Sequence, residues 1–233
     1  MALYTDPSSK EIMPEITAMD LVCPLCHTKN SRYYNQDEHR EYLHCQTCEL
    51  VFVPRVYHLP PDQEKKGYEL EKGARMRNRY SRQLKLLVGE LSHRLPRGAR
   101  GLDFGSGPSP ELPAVLTDLG YVMEVFDPYY APNRKALGGS YDFLTCSGVV
   151  EYFHDPYEEW KRLFKILRPG GLLGLVMDMG KHNGNRLTNA MTDDAGKVGF
   201  YSDATLRWLA ERYQLDVKYS KEGVVLLRQK MGV

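Results

Sequence analysis

Arg100-Gly-Leu-Asp-Phe-Gly-Ser-Gly-Pro-Ser-Pro-Glu111 is the stretch on which the fold turns. An apolar run that closes on Asp103 and passes into Gly105-Ser106-Gly107, just ahead of a helical pattern, is how a sheet strand hands its chain to a nucleotide-binding turn. Glycine is wanted at Gly105 and Gly107 where a side chain would keep a ligand from the backbone N–H groups, or where the turn needs positive φ. The next apolar run, Tyr121-Val-Met-Glu-Val-Phe-Asp127, ends on an acidic residue. A carboxylate about 20 positions on is where a ribose hydroxyl pair would be held. The competing reading is an ordinary strand-to-helix turn with a glycine cap.

Upstream, four of the five cysteines stand as Cys23-x-x-Cys26 and Cys45-x-x-Cys48. Two such pairs with this separation predict a four-cysteine zinc site, each pair aiming two thiolates from one tight turn. Tetrahedral closure leaves no open ligand position, so the ion is structural. Leu21-Val22 and Leu50-Val-Phe-Val53 flank the pairs and predict short strands, giving a zinc ribbon over residues 1–56. Disulfides, which the cytosol disfavours, and unrelated buried thiols are the alternatives. His27 and His44 each neighbour a cysteine and stand either as substitute ligands or as exposed hairpin residues. Lys29, Arg32, Tyr33, Tyr34, Arg40 and Tyr42 interleave bases with aromatics, a mixture suited to stacking on unpaired RNA bases. Asp37, Glu38 and Glu41 among them fit a solvated face equally well.

A chain of 233 residues with 42% hydrophobic content has room for one ordinary domain and a small one. Lys and Arg total 31 against 30 Asp and Glu, so no global basic field points to nucleic acid. No apolar run is long enough for a membrane span and the first 20 residues lack the order of a secretory signal. The expected location is cytoplasmic.

Residues 57–74 read as a connector, because Pro60-Pro61 bars a central strand, with room for a helical turn begun after Pro61-Asp62. From about Arg75 to Leu95 an amphipathic helix is predicted, with Tyr80, Leu84, Leu87, Val88 and Leu91 inward and Arg77, Arg79, Arg82 and Lys85 elsewhere. It opens the core, residues 75–233. Past the glycine loop a short helix places Leu112, Val115, Leu116 and Leu119 inward. After Asp127 the chain is too short for a helix, a strand and a second helix before Tyr141-Asp-Phe-Leu-Thr-Cys-Ser147, so one helix–strand unit is missing. The strand ending at Ser147-Gly148 belongs beside the glycine loop. A helix capped by Asp155 buries Trp160, Leu163, Phe164 and Leu167, and a central strand follows at Leu172–Met177. The polar loop 180–199 is expected to wall an acceptor site. Ser202 caps a last helix, and a hairpin turning at Lys221-Glu-Gly223 closes the chain. The fold class is α/β with a Rossmann-like, mostly parallel sheet and a terminal antiparallel hairpin.

Leu102-Asp-Phe-Gly-Ser-Gly, Asp127, the run from Asp142 to Glu151, Leu167-Arg-Pro-Gly-Gly and the closing hairpin together resemble the class I S-adenosylmethionine-dependent methyltransferases. The ribbon followed by this core is similar to a bacterial group of zinc-ribbon methyltransferases, a likeness that runs from Cys23 to near the end. It implies that Asp103 and the Gly105-Ser106-Gly107 backbone hold the methionine part of the cofactor and Asp127 its ribose. It implies too that Pro128 to Tyr130 meet the adenine edge, and Ser147 with Gly148 the sulfonium end. The sequence departs from that group at Ser109 (usually glycine), Gly148 (usually acidic) and Tyr152 (usually histidine). It departs also at Asn189, Met191 and Lys197 in the loop and at Glu71 and Gly73. Either the acceptor differs or catalysis is lost, the latter giving an inactive platform that binds a protein or RNA partner or activates another methyltransferase. No Asn/Asp-Pro-Pro-Tyr turn follows the fourth strand, which by resemblance counts against exocyclic base-amino methylation. Large-subunit rRNA guanine methyltransferases share the ribbon-then-core order, and an NAD dehydrogenase is the distant third reading. Methyl transfer needs alignment and dryness more than a base; by position the base candidates are Tyr152, Asp178, His182 and Asp193. Cys146, within a strand, reads as core.

Overall fold

The computed structural model describes residues 13–71, 76–179 and 188–231, with side chains described throughout except at 68, 70–71, 76–81 and 189–190. Strands β1 (Ser31–Gln36), β2 (Glu41–Cys45) and β3 (Val51–Phe52) follow the first cysteine pair. Helices α1 (Pro61–Glu71) and α2 (Met76–Ser92) lead to β4 (Arg100–Phe104), α3 (Glu111–Asp118) and β5 (Val122–Phe126). Then come β6 (Tyr141–Ser147), α4 (Pro156–Ile166), β7 (Leu167–Val176), the short α5 (Asn189–Thr192) and β8 (Gly199–Phe200). Helix α6 (Asp203–Arg212) and strands β9 (Leu215–Lys221) and β10 (Val224–Gln229) complete the order.

Six strands form the main sheet in the order β5-β4-β6-β7-β10-β9. The first four run parallel, and the β9–β10 hairpin adds antiparallel to β7. Beyond β5, where another helix–strand unit would extend the sheet, only a 3-10 turn at Arg134–Gly138 precedes β6. Side chains of the sheet alternate between two helical layers, as a pleat requires. Leu172, Val176, Val224 and Leu226 face Leu87 and Leu91 of α2 and Leu112 and Leu116 of α3. Leu173, Leu175, Val225 and Leu227 face Trp160, Leu163 and Phe164 of α4 and Leu206 and Leu209 of α6. The helix starts are chemically specified: Asp155 accepts from the Glu158 amide, and Ser202 and Thr205 form a reciprocal capping box.

The ribbon is welded to this second layer. Its strands make a separate sheet, β1-β2-β3-β8, whose last strand comes from the far side of the core. Cys23, Leu25, Leu50 and Phe52 belong to the same apolar cluster as Trp160 and Tyr201. Among the described residues no helix is long and apolar enough to cross a membrane.

Several expectations need correction. Leu21-Val22 forms a turn, with Leu21 exposed, because the first knuckle is built by turn hydrogen bonds and not by pairing. Val115 and Leu119 face solvent, since α3 is only two turns long and its inner stripe ends at Leu116. The connector contains an eleven-residue helix. Tyr34, Arg40 and Tyr42 are buried, which removes them from any base-stacking face. The structure of the 180–199 loop includes α5 and β8, while residues 180–187 lie outside the described residues, as do Gly73 and the side chains of Glu71, Arg77, Arg79, Tyr80 and Asn189.

Candidate functional site

At the carboxyl ends of β4, β5 and β6, where the strand order reverses, lies a cavity of about 520 Å³. That is the topological switch point at which α/β sheets hold ligands, and the volume falls in the small-molecule range of roughly 300–1,000 Å³. Gly105, Asp127, Pro128, Gly148 and Tyr152 line it, together with Glu64 and Pro61 of α1. Asp103, Ser106, Gly107 and Ser147 are next to these wall residues in the chain but are not part of the lining.

The glycine loop works by shape more than by free amides. The N–H groups of Gly105 and Ser106 donate to the Phe126 carbonyl at 2.7 and 3.3 Å, and that of Gly107 donates to Asp127 Oδ2 at 2.9 Å. Gly105 sits at φ 78°, and a Cβ there would come within 2.1 Å of the Val149 side chain. Glycine therefore lets the loop after β4 nest against the turn after β6. Gly148 on that turn is also left-handed, at φ 65°.

Asp127 is buried, and its Oδ1 accepts from the amides of Tyr129 and Tyr130 at 2.8 and 3.0 Å. A carboxylate has about four acceptor positions, so these bonds and the one from Gly107 leave about one for a ligand hydroxyl. Beneath it, Asp103 accepts from Thr145 Oγ1 at 2.5 Å. Burial pushes the Asp103 carboxyl up to about 7, with the Asp127 charge adding and the Thr145 hydroxyl opposing. Ser106 Oγ is buried without a hydrogen-bond partner among the described residues.

Helix α1 forms one side of the cavity. Glu64 lies 2.8 Å from His154 Nε2, and the Tyr129 hydroxyl donates to it at 3.4 Å. Behind this pair, His58 donates from Nε2 to the Val53 carbonyl, and burial lowers it to about 4.

Outside the lining, next to Tyr152, stands a second group of charges. The Tyr152 hydroxyl donates to Asp194 Oδ2, while Asp194 Oδ1 accepts from the Gly196 amide at 2.8 Å. Gly196 lies so close that a Cβ there would meet the Tyr152 ring at 3.1 Å. Lys197 Nζ is 2.8 Å from Asp178 Oδ2. Glu151, buried, accepts from the Asp178 amide through Oε1, and its Oε2 has no hydrogen-bond partner among the described residues. Burial raises the Glu151 carboxyl and the Lys197 charge opposes the rise; burial lowers Lys197, and the two carboxylates more than offset it. Of the positional base candidates, Tyr152 is on the cavity wall, Asp178 is engaged by Lys197, Asp193 is exposed and outside the lining, and His182 lies outside the described residues.

The four cysteines converge. Their Sγ atoms lie within 4.8 Å of one another, with Cys23–Cys48 and Cys26–Cys45 each at 3.5 Å and no disulfide. A zinc–sulfur tetrahedron with bonds of about 2.3 Å has sulfurs about 3.8 Å apart. The amides of Thr47 and Cys48 donate to Cys45 Sγ, as a thiolate requires. His27 is exposed against Tyr157, and His44 pairs with Glu49, so neither belongs to the cluster.

Sequence reading passed over Glu64 and Asp194, named Glu151 only as the end of a run, and took Arg40 for one of the bases of the hairpin face. Asp194 adjoins a residue that was chosen, and local pattern does not separate the two. Arg40 has partners 151–157 positions away, beyond any local signal.

No curated protein sequence matches the chain. The solved structure of Burkholderia thailandensis 1,6-didemethyltoxoflavin N1-methyltransferase, with 1,6-didemethyltoxoflavin and S-adenosylhomocysteine bound, is similar with a TM-score of 0.55 at 16% identity. The match covers 80% of this chain and 98% of that one. A chain from the complex of the Haloferax volcanii Trm112 methyltransferase activator with a methyltransferase matches with a TM-score of 0.50 at 14% identity, covering 73% and 97%. At such identities these likenesses speak for the fold alone. A family profile described as a methyltransferase domain matches residues 75–220, more than half of the chain. The sheet order and that match agree with the expected fold class, and the chain belongs to the class I S-adenosylmethionine-dependent methyltransferase family, with a four-cysteine ribbon ahead of its core.

Proposed function

We propose that this protein transfers a methyl group from S-adenosylmethionine to an acceptor nitrogen, oxygen or carbon admitted beside Tyr152. One observation carries the reading: the cavity at the switch point is bounded by Gly105, Asp127 and Gly148. The residues suit the cofactor, since Asp127 lines the cavity and keeps an acceptor position for a hydroxyl. Bound there, the cofactor supplies a methyl carbon already activated by its sulfonium. The chain's own part is to orient the acceptor and to exclude water. The Gly148 turn brings backbone close to the reacting end, and α1 covers the site from the ribbon side. The Tyr152 hydroxyl, held by its bond to Asp194, stands on the cavity wall where an acceptor N–H or O–H would enter.

Cys23, Cys26, Cys45 and Cys48 are proposed to hold one structural Zn²⁺, which would fix the two knuckles and contribute folding energy. Lys29, Arg32 and Tyr33 are exposed on the ribbon and are the residues there open to a macromolecular acceptor or a protein or RNA partner.

Calorimetric titration with S-adenosylmethionine and S-adenosylhomocysteine tests the cofactor assignment. Micromolar binding is expected, weakened at least tenfold in a folded Asp127→Ala variant. Folded, zinc-loaded wild-type protein that binds neither ligand would overturn the reading in favour of an inactive platform.

A further inference from the structure

One side chain of the ribbon reaches the 191–197 segment, which meets Tyr152 of the cavity wall. Arg40, at the turn between β1 and β2, is 5% exposed. Its guanidinium donates to the carbonyls of Met191 (2.6 Å), Ala195 (2.8 Å), Lys197 (2.9 Å) and Asp194 (3.0 Å). Its Nε donates to the Tyr42 hydroxyl at 2.9 Å, and Tyr42 donates to Asp37 Oδ2 at 2.5 Å and lies 3.2 Å from the Met191 carbonyl. Asp37 also accepts the amides of His39 and Arg40, so the clamp is braced within its own hairpin.

The clamped segment is the one that carries Asp194 to Tyr152 and Lys197 to Asp178. Backbone pairing continues the attachment, with the Val53 amide donating to Val198 and the Val198 amide donating to Glu151. A planar fork with five donors is suited to collecting several carbonyls at once, which a lysine cannot do. Removing that cation would leave four carbonyls each short of a donor.

Resting on the methyl-transfer reading above, we infer that Arg40 is a positioning residue for the acceptor side of the site: it acts through the 191–197 segment to hold Asp194 against the Tyr152 hydroxyl. On this inference the ribbon is the frame of the acceptor wall. The base-and-aromatic mixture of its hairpin is then accounted for in part by an inward clamp, not by recognition of an outside ligand.

The test uses full-length zinc-loaded protein labelled with ¹³C at tyrosine Cζ, Tyr152 being assigned by Tyr152→Phe. Arg40→Met is compared with Arg40→Lys and Asp194→Asn. S-adenosylhomocysteine affinity is expected to stay within about twofold in both Arg40 variants, which also reports that the core is folded. In Arg40→Met the amides of 194–198 are expected to exchange at least tenfold faster, and the Tyr152 titration to move toward that of Asp194→Asn. Arg40→Lys, the variant more apt to fold, should move both in the same direction by less. Folded Arg40 variants with the wild-type Tyr152 titration and exchange would overturn the proposal. A Tyr152 titration unmoved by Asp194→Asn would overturn the Tyr152–Asp194 contact itself, and with it what Arg40 is inferred to hold. Absence of homocysteine-cofactor binding in wild type would strike the methyl-transfer reading alone.

Discussion

Gly105, on the cavity wall, and Asp103, behind it, show what a single position contributes. At Gly105 the left-handed backbone and the Val149 side chain 2.1 Å from a hypothetical Cβ act together. Gly105→Ala is therefore expected to cost about 2 kcal/mol or more and to lower the melting temperature by roughly 5 °C, with weaker S-adenosylhomocysteine binding. A variant that melts and binds like wild type would contradict this account of the loop. Asp103 bears on pH. Its folded value, raised to about 7, lies above the unfolded value near 3.8, so the folded state holds the extra proton between the two. Its contribution is full below about pH 4 and is lost as pH rises through 7, at up to about 1.4 kcal/mol per pH unit. Asp103→Asn removes that slope. Denaturant melts at pH 4.5 and 7.5 should show the stability of the variant relative to wild type increasing with pH; a constant difference would sink the assignment. Asp127, one strand away, is read as the ribose partner because it combines burial with a remaining acceptor position.

Helix α1 illustrates how an element can outrun its local signal. Pro60-Pro61 bars a strand and suits the first turn of a helix, but the run of charge after it carries no apolar stripe to extend that turn to the eleven residues observed. What makes the helix useful is tertiary: Glu64 meets His154 and Tyr129, on elements far along the chain. Glu64→Gln weakens the attraction to His154, and S-adenosylhomocysteine affinity is expected to fall about fivefold, near 1 kcal/mol, with little change in melting temperature. Equal affinity measured by calorimetry would show that α1 is only a cover. By contrast α4 and α6 were legible because their caps and apolar stripes are local. Asp155-Pro156 and Ser202 with Thr205 specify where each helix begins, before any packing occurs.

Across the whole molecule the ribbon and the core behave as one body of packing. The cysteine knuckles share their apolar cluster with α4 and Tyr201, β3 pairs with β8, and Arg40 spans to the 191–197 segment. Metal loss should therefore be felt beyond the ribbon. One equivalent of zinc is expected by metal analysis, and chelation is expected to lower the melting of the entire chain by on the order of 10 °C, with faster exchange at 198–201. Much less than one equivalent in a fully folded preparation would remove the zinc assignment. Chelation that released only the ribbon's signals would show that the two parts are energetically separate.

The sequence by itself determined what depends on neighbours in the chain: the strand–glycine–helix order, the paired cysteines, the helix caps, the missing unit after Asp127 and the closing hairpin. These are set by backbone sterics, ligand spacing and periodicity over a few residues, so they can be read without coordinates. Only the tertiary structure decided which polar groups meet. That the glycine-loop amides turn to Phe126 and Asp127, that Asp194 and not Asp193 reaches Tyr152, and that Arg40 faces inward all follow from contacts between distant segments. A buried donor must find its acceptors wherever the fold brings them, and that address is not written beside it in the chain.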